Sequence, residues 1–393
     1  MGKREAFGQK FIYFILILWF STEVLFSSTL DRIFIWKIKD LNDAMAYIIL
    51  GLLLVQIVFF QKYQIKELAL IATVTLPIIL ATLNSSHNTI MSTWIFVVAS
   101  KYIDMDKVAK ISYYTELFMT LVVFYLFFNG FIVEYTLYRG SILRHSLGFS
   151  HPNMLGIRVF LLVVCRCYIR REKFNIFDWS LIVAAAVFVN HVANSKTSFY
   201  SLVILAGITF IHIAMQKFGV GFYKLMNFLI TVSVACIVIS LMLSFGQISK
   251  YPILKRLDIF MSKRFSHCHR TLNYYGVKLF GQDVQLIINR PALGKFYHFW
   301  LDNAYMSILL RYGVIVFFFF SALYIGTMII LKDMQQYMLV EIMCLYAIYG
   351  IMENNFFSMS QNLFLLLISY PLYKRDGLHY ERKRLLSKVK VSW

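Results

Sequence analysis

The chain has 393 residues, of which 59% are hydrophobic and 15% are charged, and its formal net charge is +19. Soluble domains have about 45–50% apolar and about 25% charged residues, so this composition excludes a soluble globular protein and predicts a membrane protein. A basic balance suits nucleic acid, anionic lipid or a phosphate-bearing substrate. Because the sequence has no soluble basic domain, we do not expect nucleic acid as a partner.

Apolar runs divide the whole chain into candidate membrane spans. A transmembrane helix needs about 20 mostly apolar residues. Twelve runs approach that length, at 11–28, 43–60, 68–83, 89–100, 111–131, 153–169, 179–193, 198–215, 225–246, 313–331, 338–352 and 361–373. The first has no small-residue cleavage site after it, so we predict an uncleaved helix. The pattern predicts an all-α membrane protein, with 1–393 as a single polytopic domain of about 12 transmembrane helices.

The positions of Lys and Arg predict the orientation of these spans. With the N-terminus in the cytoplasm, most Lys and Arg in short connections fall on the cytoplasmic side, as the positive-inside rule requires. This predicts a multi-pass protein of the cell (cytoplasmic) membrane with both termini cytoplasmic. Its basic tail at 374–393 would rest on anionic headgroups. The same orientation predicts one long extracytoplasmic loop at 247–312.

The predicted outer loop is strongly basic, since its only acidic residues are Asp258, Asp283 and Asp302. The potential of anionic lipids attracts basic residues on the cytoplasmic side and does not explain them outside. Seven of the histidines also fall outside or at outer helix ends: His87, His145, His151, His191, His267, His269 and His298. We therefore predict an outer site for an anionic ligand.

A His-Pro-Asn segment begins the sixth predicted span. Pro152 suits a first helical turn, because its missing N–H would have no partner there, and Ser150 or His151 would then be the cap. Arg158 follows one to two turns later and should face the bundle or extend outward. Two interpretations stay open: a plain helix start, or an anion site made of a helix N-terminus and a guanidinium.

A Ser-Lys-Thr segment begins the eighth predicted span. Ser195 is a suitable N-cap residue. Lys196, beside the free N–H groups of that helix end, could hold a phosphate. Helix capping alone explains the segment equally well.

The residues before the tenth span, 302–312, predict a short helix on the outer surface. Asp302 would cap that helix. Alternatively, Asp302 would be an ionised carboxylate held for base catalysis. Glu353, at the outer end of the eleventh span, is either a helix end or a second acid facing the site.

Two short clusters have spacings found in metal sites. Asp104 and Asp106 lie among Lys residues in a short cytoplasmic connection, where a solvated turn explains them. His267, Cys268 and His269 alternate in a way that suits a loop poorly as a ligand set. We predict no metal site and no other cofactor.

Together these segments resemble the Wzy-type polysaccharide polymerases and, more distantly, the O-antigen ligases. The likeness covers nearly the whole chain as architecture. It is specific at three places: His151-Pro152-Asn153-x-x-Gly156, Ser195-Lys196-Thr197 with Lys where Arg is commoner, and Asp302-Asn303-x-Tyr305 followed by Gly313. The third stretch usually begins with a catalytic His in the ligases, so Asp302 favours a polymerase.

The resemblance implies a GT-C-type glycosyltransferase bundle that joins polyprenyl-pyrophosphate-linked oligosaccharide repeat units on the outer face of the membrane, in capsule, exopolysaccharide or O-antigen biosynthesis. Lipid-linked repeat units would be both donor and acceptor. Asp302 would be the general base, with His298, Glu353 and His151 as substitutes, and Arg158 would contact the pyrophosphate. The other expected substrate-binding residues are Arg139, Arg144, His151, Asn153, Lys196, Arg290, His298, Asn303 and Glu353. A chain-length regulator and a flippase of the same pathway are the implied protein partners.

Two alternatives stay open from the sequence. A ligase that attaches the glycan to a different acceptor is barely distinguishable. A flippase or transporter of the same lipid-linked glycan would also need an outer basic cavity. Transporters often have related halves, whereas this chain has one long outer loop and no evident internal repeat.

Overall fold

The structure, a computed structural model, describes residues 3–30, 35–246, 248–290 and 295–373. Within these ranges it is helical apart from two short antiparallel hairpins, β1–β2 (Leu137–Arg139 and Ile142–Arg144) and β3–β4 (Ile287–Arg290 and Lys295–His298). The prediction of an all-α membrane protein is confirmed in this form. The predicted basic tail, 374–393, lies outside the described residues.

The helices follow the predicted apolar runs in chain order. They are α1 (Lys3–Phe26), α2 (Ile35–Val55, continued by a π-helical turn at Gln56–Phe60), α3 (Ile65–Ser85), α4 (Thr89–Ala99), α5 (Met105–Phe128), α6 (Pro152–Arg170), α7 (Ile176–Phe188, continued by a π-helical turn at Val189–Ala193), α8 (Lys196–Phe218), α9 (Tyr223–Phe245), α10 (Pro252–Phe260), α11 (Arg264–Tyr275), α12 (Ala304–Ser307, continued by a π-helical turn at Ile308–Tyr312), α13 (Gly313–Asp333), α14 (Tyr337–Met352) and α15 (Ser369–Leu372).

Nine helical stretches in the described ranges are long and apolar enough to cross a membrane. The other three predicted spans coincide with shorter apolar helices, Thr89–Ala99, Tyr337–Met352 and Leu363–Leu372. The chain is therefore a multi-pass membrane protein by helix length and composition. The larger number of spans in the sequence prediction came from counting these three short helices as full crossings.

The contacts within the chain form two compact units. Unit 1 comprises Met1–Lys62, Ile95–Gly221 and Met359–Leu366, and unit 2 comprises Tyr63–Trp94, Phe222–Ser358 and Leu367–Trp393. Unit 1 contains α1, α2, α5, the β1–β2 hairpin and α6–α8. Unit 2 contains α3, α9–α14 and the β3–β4 hairpin, and the sequence of α4 is divided between the two.

Helix α6 is the central helix of unit 1. It packs against α5 and α8, while α1 packs against α5 and α7 packs against α8. In its most apolar stretch 67% of α6 is buried, against 17–33% for the other eight long helices. A charged residue on α6 is therefore enclosed by protein, where it needs a partner.

Helix α14 has the corresponding position in unit 2, packing against α9 and α13. Its residues from Met338 to Ala347 are all buried. Helix α11 also packs on α9, and α3 packs on α13. The segment between α9 and α13, which the sequence analysis treated as one long loop, thus contains α10, α11, the second hairpin and α12.

The predicted surface helix at 302–312 is wrong in two respects. Residues 303–310 and Tyr312 are buried rather than on the surface, because this segment is apolar enough to continue the span that follows it. The cap of α12 is Asn303, whose Oδ1 accepts the Met306 N–H at 3.0 Å, and not Asp302.

Two glycines fix the junction between α12 and α13. Gly281 and Gly313 have φ angles of +76° and +86°, a region that favours glycine. The Gln282 N–H donates to the Arg311 carbonyl at 3.0 Å, and the Val314 N–H donates to Lys278 at 3.1 Å. A Cβ on Gly313 would lie 2.4 Å from the Gly281 nitrogen. The two backbones can pack this closely only without side chains.

We expect Gly313→Ala to destabilise the protein by at least about 1–3 kcal/mol, the cost of placing a non-glycine residue in such a backbone region. Gly326→Ala is the matched control in the same helix, since a Cβ there meets nothing within 4 Å. Replacing that helical glycine should be neutral or stabilising by up to about 1 kcal/mol. Thermal unfolding of the purified proteins in detergent measures both. Equal unfolding temperatures for the two variants would contradict this account.

Candidate functional site

Five of the predicted binding residues lie together at one end of two unit 1 helices. Arg139 and Arg144 end the two strands of the β1–β2 hairpin, His151 and Asn153 lie at the beginning of α6, and Lys196 is the first residue of α8. We call these five residues the hairpin cluster.

The two arginines connect the hairpin to the end of α7. Arg139 Nη1 donates to the Asn194 carbonyl at 2.7 Å and to its Oδ1 at 3.2 Å. Arg144 Nε donates to the Ala193 carbonyl at 2.9 Å, and Nη2 donates to Asn153 Oδ1. Carbonyls at a helix C-terminus lack helical partners, and a cation there is favourable. These bonds therefore fix the hairpin cluster around the helix ends.

The His-Pro-Asn segment forms the helix start that the sequence predicts. Pro152 is the first residue of α6, and His151 caps the helix with Nδ1 accepting the Asn153 N–H at 3.0 Å. The predicted cap and the predicted proline position are both confirmed. The capping bond occupies one ring nitrogen of His151.

The Ser-Lys-Thr segment packs directly on α6. A Cβ on Gly156 would lie 2.7 Å from the Ser195 Cβ, so the glycine allows the two segments to touch. Ser195 is the N-cap residue of α8, as predicted, but its side chain makes no capping bond and instead contacts Ser198 Oγ at 3.3 Å. Lys196 is exposed at a helix N-terminus, where the helix dipole favours an anion.

Arg158 is buried in unit 1 and faces the bundle, which was one of its two predicted orientations. Its side chain is 1% exposed. Nη1 lies 3.0 Å from Glu116 Oε1 and 3.1 Å from the Ser360 carbonyl, and Nη2 lies 3.1 Å from the Glu23 carbonyl. The Glu23 carboxyl group interacts with the same guanidinium. An anionic ligand would have to displace protein acceptors to reach Arg158, so its contact with pyrophosphate stays a prediction.

A second group of predicted residues lies in unit 2 around Arg264, the first residue of α11. Arg264 Nη1 donates to the main-chain carbonyl of Asp302 at 3.0 Å, and Nη2 forms an ion pair with Glu353 at 3.3 Å. Glu353 follows the last residue of α14. We call Arg264, His267, Asp302, Asn303 and Glu353 the Asp302 cluster.

Asn303 is completely buried, and its side chain uses both its donor and its acceptor group. Nδ2 donates to Ser240 Oγ at 3.0 Å and to the Ile351 carbonyl at 3.1 Å, while Oδ1 caps α12. These bonds join α9, α12 and α14. In this structure Asn303 therefore has a structural role, and it fixes the backbone of its neighbour Asp302.

The Asp302 side chain is half-buried, and within the described residues its carboxylate accepts no hydrogen bond. Its charge acts on His267, one turn along α11 from Arg264. Burial lowers the pKa of His267, although the Asp258 and Asp302 carboxylates act in the opposite direction. The imidazole is therefore neutral near pH 7. A positioned carboxylate beside a neutral imidazole provides two groups that can accept a proton.

Aromatic rings line the same part of unit 2. The Trp300 side chain is 40% exposed. His298 stacks on it with ring centroids 4.0 Å apart, and the His267 ring lies 4.9 Å from it. The structure thus brings His298, Glu353, Asn303 and Asp302 into one region, as the sequence analysis expected. Arg290 lies on β3, but its side chain is outside the described part of the structure.

Sequence reasoning missed Arg264 and His267 as site residues. Arg264, His267, Cys268 and Thr271 follow the i, i+3, i+4, i+7 spacing of one helix face. Thr271 Oγ1 also contacts the Trp300 carbonyl at 3.3 Å. That spacing was the available signal, and treating the segment as a loop hid it.

The remaining ligand-type side chains do not form a metal centre within the described ranges, where no three His, Cys, Asp or Glu groups are suitably arranged. Burial raises the pKa of Cys268 to about 12, so that thiol is not a thiolate ligand at neutral pH. Comparison of the chain with protein-family models, with curated proteins and with solved structures finds no match.

We expect Arg158→Met to destabilise unit 1 by about 3–5 kcal/mol, because it leaves buried Glu116 without its cation. The double variant Arg158→Met, Glu116→Met should be more stable than Arg158→Met alone, since a buried ion pair can often be replaced by apolar residues at little cost. Thermal unfolding in detergent measures the three proteins. Losses that simply add would show that the two residues do not act as a pair.

Proposed function

We propose that this protein is a membrane glycosyltransferase that polymerises polyprenyl-pyrophosphate-linked oligosaccharide repeat units. The observation that carries the proposal is the Asp302 carboxylate. It is half-buried, it lies next to a fixed Asn303, and it accepts no hydrogen bond within the described residues. A general base needs this combination of a defined position and an available lone pair.

The proposed reaction transfers the growing glycan to a new repeat unit. The acceptor hydroxyl oxygen attacks the anomeric carbon of the donor glycan, and Asp302 accepts the hydroxyl proton. The bond between that carbon and the pyrophosphate oxygen breaks, and polyprenyl pyrophosphate leaves with the electron pair. Arg264 supports the base by binding the Asp302 carbonyl and the Glu353 carboxylate. The reaction needs no cofactor.

The hairpin cluster supports the binding of a pyrophosphate group. The leaving pyrophosphate carries negative charge, and fixed cationic donors stabilise such charge in a transition state. Lys196 is an exposed cation at the beginning of α8, and Arg139 and Arg144 are held beside it by the carbonyls of Asn194 and Ala193. We assign the binding role to these three residues and a positioning role within unit 1 to buried Arg158.

We expect Asp302→Asn to lower polymerisation by about 10²–10⁴-fold, the usual contribution of a general base. The amide keeps the size of the side chain but cannot accept the proton. Glycan length in a deletion strain that expresses the variant measures the effect, and single repeat units should accumulate.

Asp283→Asn is the matched control for this test, because Asp283 lies in the same segment and is exposed. Asp258 is unsuitable, since its buried carboxylate accepts the Phe265 and Ser266 N–H groups. Normal polymer from Asp302→Asn at a normal protein level would overturn the assignment of the base. In the deletion strain itself, intact lipid-linked polymer would indicate a ligase, and repeat units trapped in the cytoplasm would indicate a flippase.

We expect Lys196→Ala to lower polymerisation by about 10²–10³-fold, as does loss of one donor to a developing negative charge elsewhere. Lys217→Ala, at the opposite end of the same helix and also exposed, should leave glycan length unchanged. The same strain and glycan-length measurement serve for both variants. If the two variants make polymer of equal length and amount, Lys196 does not bind the pyrophosphate.

A further inference from the structure

Helix α10 has an apolar face that packs against nothing in the described structure. Ile253, Leu257 and Phe260 follow the i, i+4, i+7 spacing of one helix face. Their exposed fractions are 81%, 43% and 58%. Three large apolar side chains on one short helix are unfavourable in water. This face therefore needs an apolar environment outside the chain.

The opposite face of α10 is fixed to the protein. Asp258 is buried, and its Oδ1 accepts the Phe265 N–H at 3.0 Å and the Ser266 N–H at 3.3 Å at the beginning of α11. Leu254 on the same side is half-buried. Because Asp258 holds this side of α10 against α11, the helix cannot rotate to bury Ile253, Leu257 and Phe260 without breaking these bonds.

The polar residues around α10 carry one sign of charge. Lys250, Lys255, Arg256 and Lys263 are all exposed, whereas the only acidic residue of the segment, Asp258, is buried. Basic residues beside an apolar helix face are typical of helices that lie in the headgroup region of a bilayer. Their charge is complementary to anionic lipid headgroups.

The apolar face also continues the surface of a membrane-spanning helix. Met242 and Phe245 in the last turn of α9 are exposed, and so is Tyr251, directly before α10. Only residues 246–251 separate the two helices. A helix that begins so soon after the end of a span lies within reach of the interface, where tyrosine is also enriched.

We propose that α10 lies in the membrane interface, with Ile253, Leu257 and Phe260 in the acyl boundary and Lys255 and Arg256 among anionic headgroups. The occupant of the apolar face is thus the lipid surface itself. The inference does not depend on the proposed function. It gives α11, which α10 holds through Asp258, a fixed depth at the headgroups. Arg264 and His267 would then stand at the level of a lipid-linked phosphate group.

Spin labelling of the full-length protein tests this inference. Single cysteines at positions 253, 257 and 260 would carry a nitroxide in vesicles of phosphatidylcholine and phosphatidylglycerol. The five native cysteines are buried, so the label reacts with the introduced one. Collisions with oxygen, which partitions into lipid, are compared with collisions with a water-soluble nickel chelate. Position 285, where an exposed Gln285 lies in the same segment, is the matched control.

We expect oxygen to be favoured over the chelate several-fold at 253, 257 and 260, and the chelate to be favoured at 285. The preference should weaken in vesicles without phosphatidylglycerol. Chelate accessibility equal to that at 285 would overturn the inference, because the face would then lie in water. Low collision rates with both reagents would mean a protein partner, and spin broadening lost on dilution with unlabelled protein would mean a second copy. An oxygen preference unchanged without phosphatidylglycerol would overturn the assignment of anionic headgroups.

Discussion

The buried amide of Asn303 determines the arrangement of the Asp302 cluster. Its hydrogen bonds to Ser240, to the Ile351 carbonyl and to the Met306 N–H connect three helices of unit 2 through one side chain. Leaving such a buried group unpaired costs about 1–3 kcal/mol, so the three helices and the Asn303 backbone are fixed together. Asp302 is the next residue along the chain and takes its position from this network, while its own carboxylate stays without a hydrogen bond in the described structure. Position and reactivity are thus supplied by two adjacent residues.

Charged residues in the two units are used in two ways. Arg158 and Glu116 are fully buried and pair with each other, which is the arrangement that a low-dielectric interior requires. Lys196 lies at a helix end and is exposed, where a cation can bind an anion from outside the protein. The basic residues around α10 are exposed too, but they flank an apolar face rather than a helix N-terminus. Burial and local partners therefore separate the charges that hold helices together from those available to ligand or lipid.

Local rules predicted the parts of the structure that depend on neighbouring residues. Apolar runs placed every membrane helix, and Pro152 with His151 gave the start of α6, because capping involves residues close in sequence. The choice between Asp302 and Asn303 as the cap failed, since both side chains cap well and only the buried surroundings select the amide. The partner of Arg158 could not be predicted, because Glu116 lies on another helix. Arg264 and His267 were missed because their role depends on how α11 packs against the segment before α12.

Reconstitution with a defined substrate tests the central claim most directly. Purified protein in vesicles would be given one polyprenyl-pyrophosphate-linked oligosaccharide, and both glycan length and released polyprenyl pyrophosphate would be measured. The account predicts that the glycan lengthens by whole repeat units, that each new linkage releases one polyprenyl pyrophosphate, and that Asp302→Asn does neither. Vesicles in which the folded wild-type protein moves the lipid-linked oligosaccharide across the bilayer without joining units or releasing polyprenyl pyrophosphate would contradict it.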